Sequence, residues 1–68
     1  MRQTIRNFTG KIVGYIDTDN KGNKTVFDFH GRIKGYYKKD LNVTQNFYGQ
    51  ILTEGDSTGS LIDYNDVD

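Results

Sequence analysis

The hydrophobic positions of this chain come in short runs separated by polar stretches rich in Gly, Asn and Asp. The runs are rich in β-branched and aromatic residues, which are typical of strands. No window places apolar residues at spacings of three and four, so we predict no helix. The pattern predicts an antiparallel meander of about seven short strands, near residues 2–7, 11–17, 24–28, 32–38, 42–46, 50–54 and 60–64.

One phrase occurs three times, over residues 7–15, 28–36 and 46–54. Each copy begins with Asn or Asp followed by Phe, then has Gly at its fourth position and Ile at its sixth. Asn or Asp followed by Gly at this spacing favours a type I turn, in which Gly supplies the left-handed conformation of a hairpin loop with a bulge. A phrase repeated at such spacing indicates one supersecondary unit copied in tandem.

We therefore expect one small all-β domain over residues 1–68, built from three and a half hairpin repeats. The repeat units lie at about 2–20, 23–41 and 42–59, with a partial unit at 60–68. One hairpin per repeat resembles the plan of the membrane-occupation-and-recognition repeats and of the choline-binding repeats. The latter build aromatic boxes from Trp, which this chain lacks. The resemblance is confined to the plan, and no site residue or activity follows from it.

Alternation along the strands assigns side chains to two faces of the sheet. One face is expected to carry Ile12, Gly14, Ile16, Phe27 and Ile33, with Thr25 opposite Gly35, and is the better candidate for the core. The other face is expected to carry Ile5, Val13, Tyr15, Val26 and Tyr36. Because neither face is cleanly polar, we expect the sheet to coil on itself or to pack sheet-on-sheet against a second copy.

The small size of the chain also favours association with a second copy. A domain of 68 residues is marginally stable alone, and small domains usually need disulfides, a metal or a partner subunit. With no Cys and one His, neither a disulfide nor a Cys/His zinc site can be assembled. We therefore predict a homo-oligomer with no cofactor and no metal.

The net charge of zero hides an asymmetry along the chain. All nine Lys and Arg lie at or before Lys39, and six of the nine acids lie from Asp40 onward. Within the basic part, Lys and Arg interleave with Tyr, a combination that can meet phosphates while the rings stack on bases. We call these residues the basic patch, and alternation predicts that most of them share one face: Lys11, Tyr15, Arg32, Lys34, Tyr36, Lys38 and Lys39.

Material for catalysis or metal binding is scarce. His30 is the only histidine and falls at a predicted turn tip, where the other copies have Thr9 and Tyr48. Residues 17–28 have acids at the first, third and twelfth positions of a calcium loop, but Lys21 stands where an oxygen ligand is needed. We read this segment as a polar hairpin loop and expect no enzymatic activity.

The sequence thus predicts a non-enzymatic protein that acts through protein–protein interaction or self-assembly. The alternative is a small nucleic-acid-binding module that uses the strand from Arg32 to Lys39. With no Cys, no signal-peptide pattern and no apolar run long enough for a membrane, we expect a cytoplasmic protein without membrane contact. The abundance of Asn, Lys and Tyr is typical of an AT-rich genetic source, such as a bacterium or phage.

Overall fold

Each strand of the sheet pairs with the next one along the chain. The computed structural model describes residues 1–62, and in these residues six strands form one antiparallel sheet. The strands are β1 (Arg2–Arg6), β2 (Ile12–Thr18), β3 (Lys24–Asp28), β4 (Ile33–Lys38), β5 (Val43–Asn46) and β6 (Ile51–Glu54). The prediction of an all-β antiparallel meander is confirmed. Because the strand order is linear, β1 and β6 each pair on one side only within residues 1–62, and they form the two edges of this sheet.

The repeated phrase forms the turns that join β1 to β2, β3 to β4 and β5 to β6. In each turn the Oδ1 atom of the leading Asn or Asp accepts backbone N–H bonds from the second and fourth residues after it, over 2.9–3.1 Å. The Gly at the fourth position has a φ of +86° to +88°, a left-handed conformation that favours glycine. The shared residues of the phrase therefore specify a hairpin turn.

Each of these three hairpins also contains a second irregularity. Pairing skips one residue after the turn, so that Val13, Lys34 and Leu52 are extra residues in β2, β4 and β6. The ladders between β2 and β3 and between β4 and β5 run without a shift. Such β-bulges bend the strand and increase its twist. The repeat unit is thus a bulged hairpin, and regular pairing joins one unit to the next.

One face of the sheet is closed by the residues that follow β6. This covering segment, residues 55–62, includes a 3-10 helix at Thr58–Leu61. Gly14 and Gly35 leave room for side chains of the covering segment. A Cβ added at Gly14 would lie 3.2 Å from Ile62, and one added at Gly35 would lie 2.6 Å from Leu61. Lys24 of β3 forms an ion pair with Asp56 at 2.5 Å.

The seventh strand predicted at residues 60–64 is therefore wrong over its described part. Local side-chain bonds favour the turn instead, because Asp56 Oδ1 accepts from the backbone N–H and the hydroxyl of Thr58. The carbonyl of Ser57 likewise accepts from the backbone N–H and the hydroxyl of Ser60. Short polar side chains that bond nearby backbone compete in this way with a strand ladder. The rest of that predicted strand, and most of the predicted partial unit, lies outside the described residues.

The core lies between the sheet and the covering segment. Val13, Ile16, Val26 and Ile62 form a buried cluster, against which Ile5 and Leu61 pack. The predicted division of faces is correct for Gly14, Ile16 and Gly35 on the covered face and for Tyr15 and Tyr36 on the open face. It is wrong for Ile5, Val13 and Val26, which belong to the core or pack against it, and for Phe27 and its partner Ile33, which do not. Because Lys34 is skipped, Gly35 pairs with Val26, and Thr25 pairs with Tyr36. The covered face consequently takes Val26, whereas the ring of Phe27 lies on the opposite, open face.

Candidate interaction surface

The open face of the sheet carries a group of aromatic side chains. Tyr15 pairs with Phe27 across β2 and β3, and Tyr36 pairs with Thr25, which lies on the same face as Phe27. The guanidinium of Arg2 lies 5.3 Å from the ring centre of Tyr15 and 5.0 Å from that of Phe27. These residues form a surface of rings and cations, which is the composition that interfaces and base-stacking sheets share.

Only part of the basic patch lies on this face. Tyr15, Tyr36 and Lys38 do, and the ammonium group of Lys38 lies 5.1 Å from the ring centre of Tyr36. Lys34 is the extra residue of a bulge, so the simple alternation on which its predicted place beside Tyr36 depends does not apply at this position.

The remaining patch residues lie at the two ends of the sheet. Lys11 and Arg32 close equivalent turns at one end, where the carbonyl of each accepts the N–H of the leading residue of its turn. Lys39 lies at the other end, where its side chain contacts Gly22 and its backbone N–H donates to Asn23. The structure therefore divides the patch into an open-face part and two end parts, instead of one continuous surface.

Arg2 and Phe27 are the open-face residues that sequence reasoning missed. Arg2 precedes the first copy of the phrase, and strict alternation, which ignores the bulge at Lys34, predicts Phe27 on the core face. The signal that could have found them is the cross-strand register, in which Arg2 pairs with Asp17 and Tyr15 pairs with Phe27. That register depends on where each bulge falls.

The β5–β6 hairpin exposes a second, apolar surface. The exposed fractions are 52% for Phe47, 76% for Tyr48, 61% for Ile51 and 49% for Leu52. The rings of Phe47 and Tyr48 contact each other, with their centres 4.0 Å apart. Clusters of exposed apolar side chains mark contact surfaces more often than single ones do. We call these four residues the apolar edge, because they lie in or next to β6, whose residues are all exposed and whose outer side pairs with no strand within residues 1–62.

A shallow cavity of about 580 Å³ adjoins the apolar edge, and it is lined by Asp28, Arg32, Ile33, Lys34 and Phe47. Asp28 is buried and accepts from the Nε of Arg32 at 3.0 Å. Partial burial by itself raises the pKa of Asp28, but the hydrogen bonds from Arg32 and His30 and the charge of Arg32 together hold it below its ordinary value. This carboxylate is therefore an ionised structural group that anchors the turn.

A second cavity of about 340 Å³ lies at the other end, lined by Asp17, Thr18, Asp19, Asn23, Thr25 and Phe27. It includes part of the segment considered as a calcium loop. Asp19 Oδ1 accepts from the backbone N–H groups of Lys21 and Asn23, in the same arrangement as the repeated turns. Asp17 forms an ion pair with Arg2 at 3.3 Å. Both carboxylates therefore have local partners, which agrees with the hairpin-loop interpretation.

His30 lies at a turn tip, exposed, with its ring 3.9 Å from that of Phe29. Across residues 1–62, the structure brings together no three His, Cys, Asp or Glu side chains that could hold a metal ion.

In the part of the chain that the structure describes, no helix has both the length and the apolar character needed to cross a membrane.

Comparisons with known proteins add no family to these observations. No protein-family model, no curated protein and no solved structure matches the chain.

Proposed function

We propose that this chain is a non-enzymatic interaction module that works through protein–protein contact, in the first place with copies of itself. The observation that carries the proposal is the apolar edge, where Phe47, Tyr48, Ile51 and Leu52 are about half exposed or more, in or next to the edge strand β6, whose outer side pairs with no strand among residues 1–62. The free side of an edge strand offers backbone donors and acceptors to another chain, and apolar side chains on it contribute burial.

Three further features support this function. The leading side chains of the repeated turns have a structural role, because Oδ1 of Asp28 and of Asn46 each accept two backbone N–H bonds within their own turn. The side chain of His30 lies at an exposed tip against Phe29. The domain is small, so burial between copies would add to a limited core. The cytoplasmic setting and the bacterial or phage origin expected from the sequence belong to this proposal, as does sheet-on-sheet packing between copies.

The test compares two exposed leucines in sedimentation velocity over a wide range of protein concentration. Leu52 lies on the apolar edge, and Leu41 lies in the β4–β5 turn and is 66% exposed. We expect Leu52→Thr to weaken self-association about tenfold, because it removes one partly buried leucine from the contact. Leu41→Thr should associate like the wild type. A wild type that stays monomeric at every concentration would overturn the proposal.

Nucleic-acid binding is the second candidate, and the open face favours it. Tyr15, Phe27 and Tyr36 lie on one face with the cations of Arg2 and Lys38 beside their rings. Rings on a sheet can stack bases while cations bind phosphates. The acids from Asp40 onward and the pairing of Arg2 with Asp17 weigh against it.

Titration with single-stranded and duplex oligonucleotides at two salt concentrations tests this candidate. Binding should weaken as salt rises and should fall in Tyr36→Ala and Lys38→Glu. Lys34→Glu supplies a control with the same charge change at the bulge. The absence of binding at low salt would remove nucleic acid as a partner.

A further inference from the structure

The two edges of the sheet differ in charge. β1 carries Arg2 and Arg6 and no acid, and β6 carries Glu54 and no base. The difference extends beyond the edge strands, because every Lys and Arg of the chain lies at or before Lys39. One edge of the molecule is therefore basic and the opposite edge is acidic.

The two edges also match in direction and in face. With six strands alternating in direction, β1 begins at the end of the sheet where β6 finishes. Arg2 and Glu54 thus stand at the same end. Both lie on the open face. Arg2 pairs with Asp17 of β2. Glu54 pairs with Val43 of β5, which in turn pairs with Lys38 of β4 on that face.

From this placement, and resting on the proposed function, we propose that a second copy of this chain docks head-to-tail, its β1 edge pairing antiparallel with the β6 edge of the first. With Glu54 opposite Arg2, the next pair is Thr53 with Gln3, and β6 overlaps β1 over its full length. Alternation places these two pairs on matching faces, whereas beyond Thr53 the extra residue Leu52 interrupts the alternation of β6. In this arrangement the meander continues from one copy into the next.

The charges on the two edges favour head-to-tail pairing of β6 with β1 over symmetric pairing of like edges. Antiparallel pairing of β1 with β1 would bring four arginines together, with Arg2 of each copy opposite Arg6 of the other, and pairing β6 with β6 would give Glu54 no base to meet. Like charges facing each other disfavour association, whereas opposite charges fix the partner and the register more than they add affinity. The attraction itself comes from backbone hydrogen bonds and from burial of Ile51 and Leu52, which are exposed in the single copy.

Charge reversal on each edge tests the proposal by sedimentation velocity. We expect Arg2→Glu alone and Glu54→Arg alone each to weaken self-association about tenfold, because each leaves two like charges opposite one another. Mixing the two variants should restore association, since the reversed edge of one is then complementary to the reversed edge of the other. The double variant in one chain should also associate like the wild type, at unchanged net charge.

Lys21→Glu is the matched control, because it makes the same charge change as Arg2→Glu in an exposed turn away from both edges. Restoration in the mixture excludes simple unfolding of either variant as the cause of its weak association. If the wild type associates and both reversals associate equally well, the head-to-tail arrangement is wrong and the proposed function stands. If the wild type does not associate at all, both are wrong.

Discussion

The covered face and the open face of the sheet are built from neighbouring residues of the same strands, yet their side chains differ in burial and in packing. On the covered face, Gly14 and Gly35 leave room for Ile62 and Leu61, and Val26 is fully buried. On the open face, Tyr15 and Tyr36 are half-buried beside cations. The covered face holds the core of the single copy, whereas the open face leaves rings and cations at the surface. Substitutions on the two faces should therefore have separable effects.

The largest effect should come from filling the space beneath the covering segment. A Cβ at Gly35 would collide with the backbone oxygen of Gln45 and with the side chain of Leu61 at 2.6 Å. We expect Gly35→Ala to lower the free energy of unfolding by about 2–3 kcal/mol, because a packed strand cannot move away from a backbone atom cheaply. Urea unfolding measures this change.

Gly31→Asn is the control for that substitution. Gly31 has a positive φ of 86° and no atom within 4 Å of an added Cβ, and Asn tolerates the left-handed conformation. We expect a cost of less than about 1 kcal/mol. Equal losses for the two variants would contradict the role assigned to the covering segment.

The next largest effect is the difference in stability between substitutions at two adjacent residues of β3 that lie on opposite faces. Val26 is 0% exposed in the core cluster, whereas Thr25 is half-buried on the open face. We expect Val26→Ala to cost about 2 kcal/mol, from lost burial and the cavity left behind, and Thr25→Ala about 0.5 kcal/mol or less. Thermal unfolding of the pair would contradict the assignment of faces if the order were reversed.

The turn at Asp28 should show a smaller, pH-dependent effect. Its folded pKa lies below the ordinary value, so its contribution to stability is complete above the unfolded pKa and is lost as pH falls through the folded pKa. Asp28→Ala removes the acceptor of two backbone N–H bonds and should cost about 1–2 kcal/mol at neutral pH. Urea unfolding from neutral to strongly acidic pH measures both the cost and the loss.

Asn at position 28 provides the matched variant, because the other two copies of the turn use Asn7 and Asn46. Asp28→Asn keeps the acceptor and loses the pairing with the exposed side chain of Arg32, so it should cost less than about 1 kcal/mol. Its stability should fall less steeply in acid than that of the wild type. The same slope in both proteins would show that Asp28 is not a source of the acid sensitivity.

The smallest effect belongs to the open face. Lys38→Ala removes a cation 5.1 Å from the ring centre of Tyr36 and should change stability by about 0.5 kcal/mol. Its influence on association or on oligonucleotide binding should exceed its influence on folding. A large loss of stability would show that Lys38 contributes to folding, and it would contradict the difference in stability expected between the two faces.

Much of the local structure follows from short segments. The leading Asn or Asp and the Gly of each repeated turn were predicted with their roles, and the φ values of Gly10, Gly31 and Gly49 agree. Strand positions were also predicted closely, because β-branched and aromatic runs alternate with turn residues. For the candidate site, Tyr15, Tyr36 and Lys38 share a face as alternation predicts, whereas Lys34 falls in a bulge, where alternation does not apply.

By itself, the sequence determined the repeated turns, the six strands of the sheet and their meander order, because each depends on residues a few positions apart. The tertiary structure alone decided which residue of each hairpin is skipped and what covers the sheet. A bulge at Lys34 shifts the register by one residue, and so determines which side chains of β3 and β4 share a face. The covering segment depends on space at Gly14 and Gly35, which lie on different strands and become neighbouring sites only once the sheet has formed.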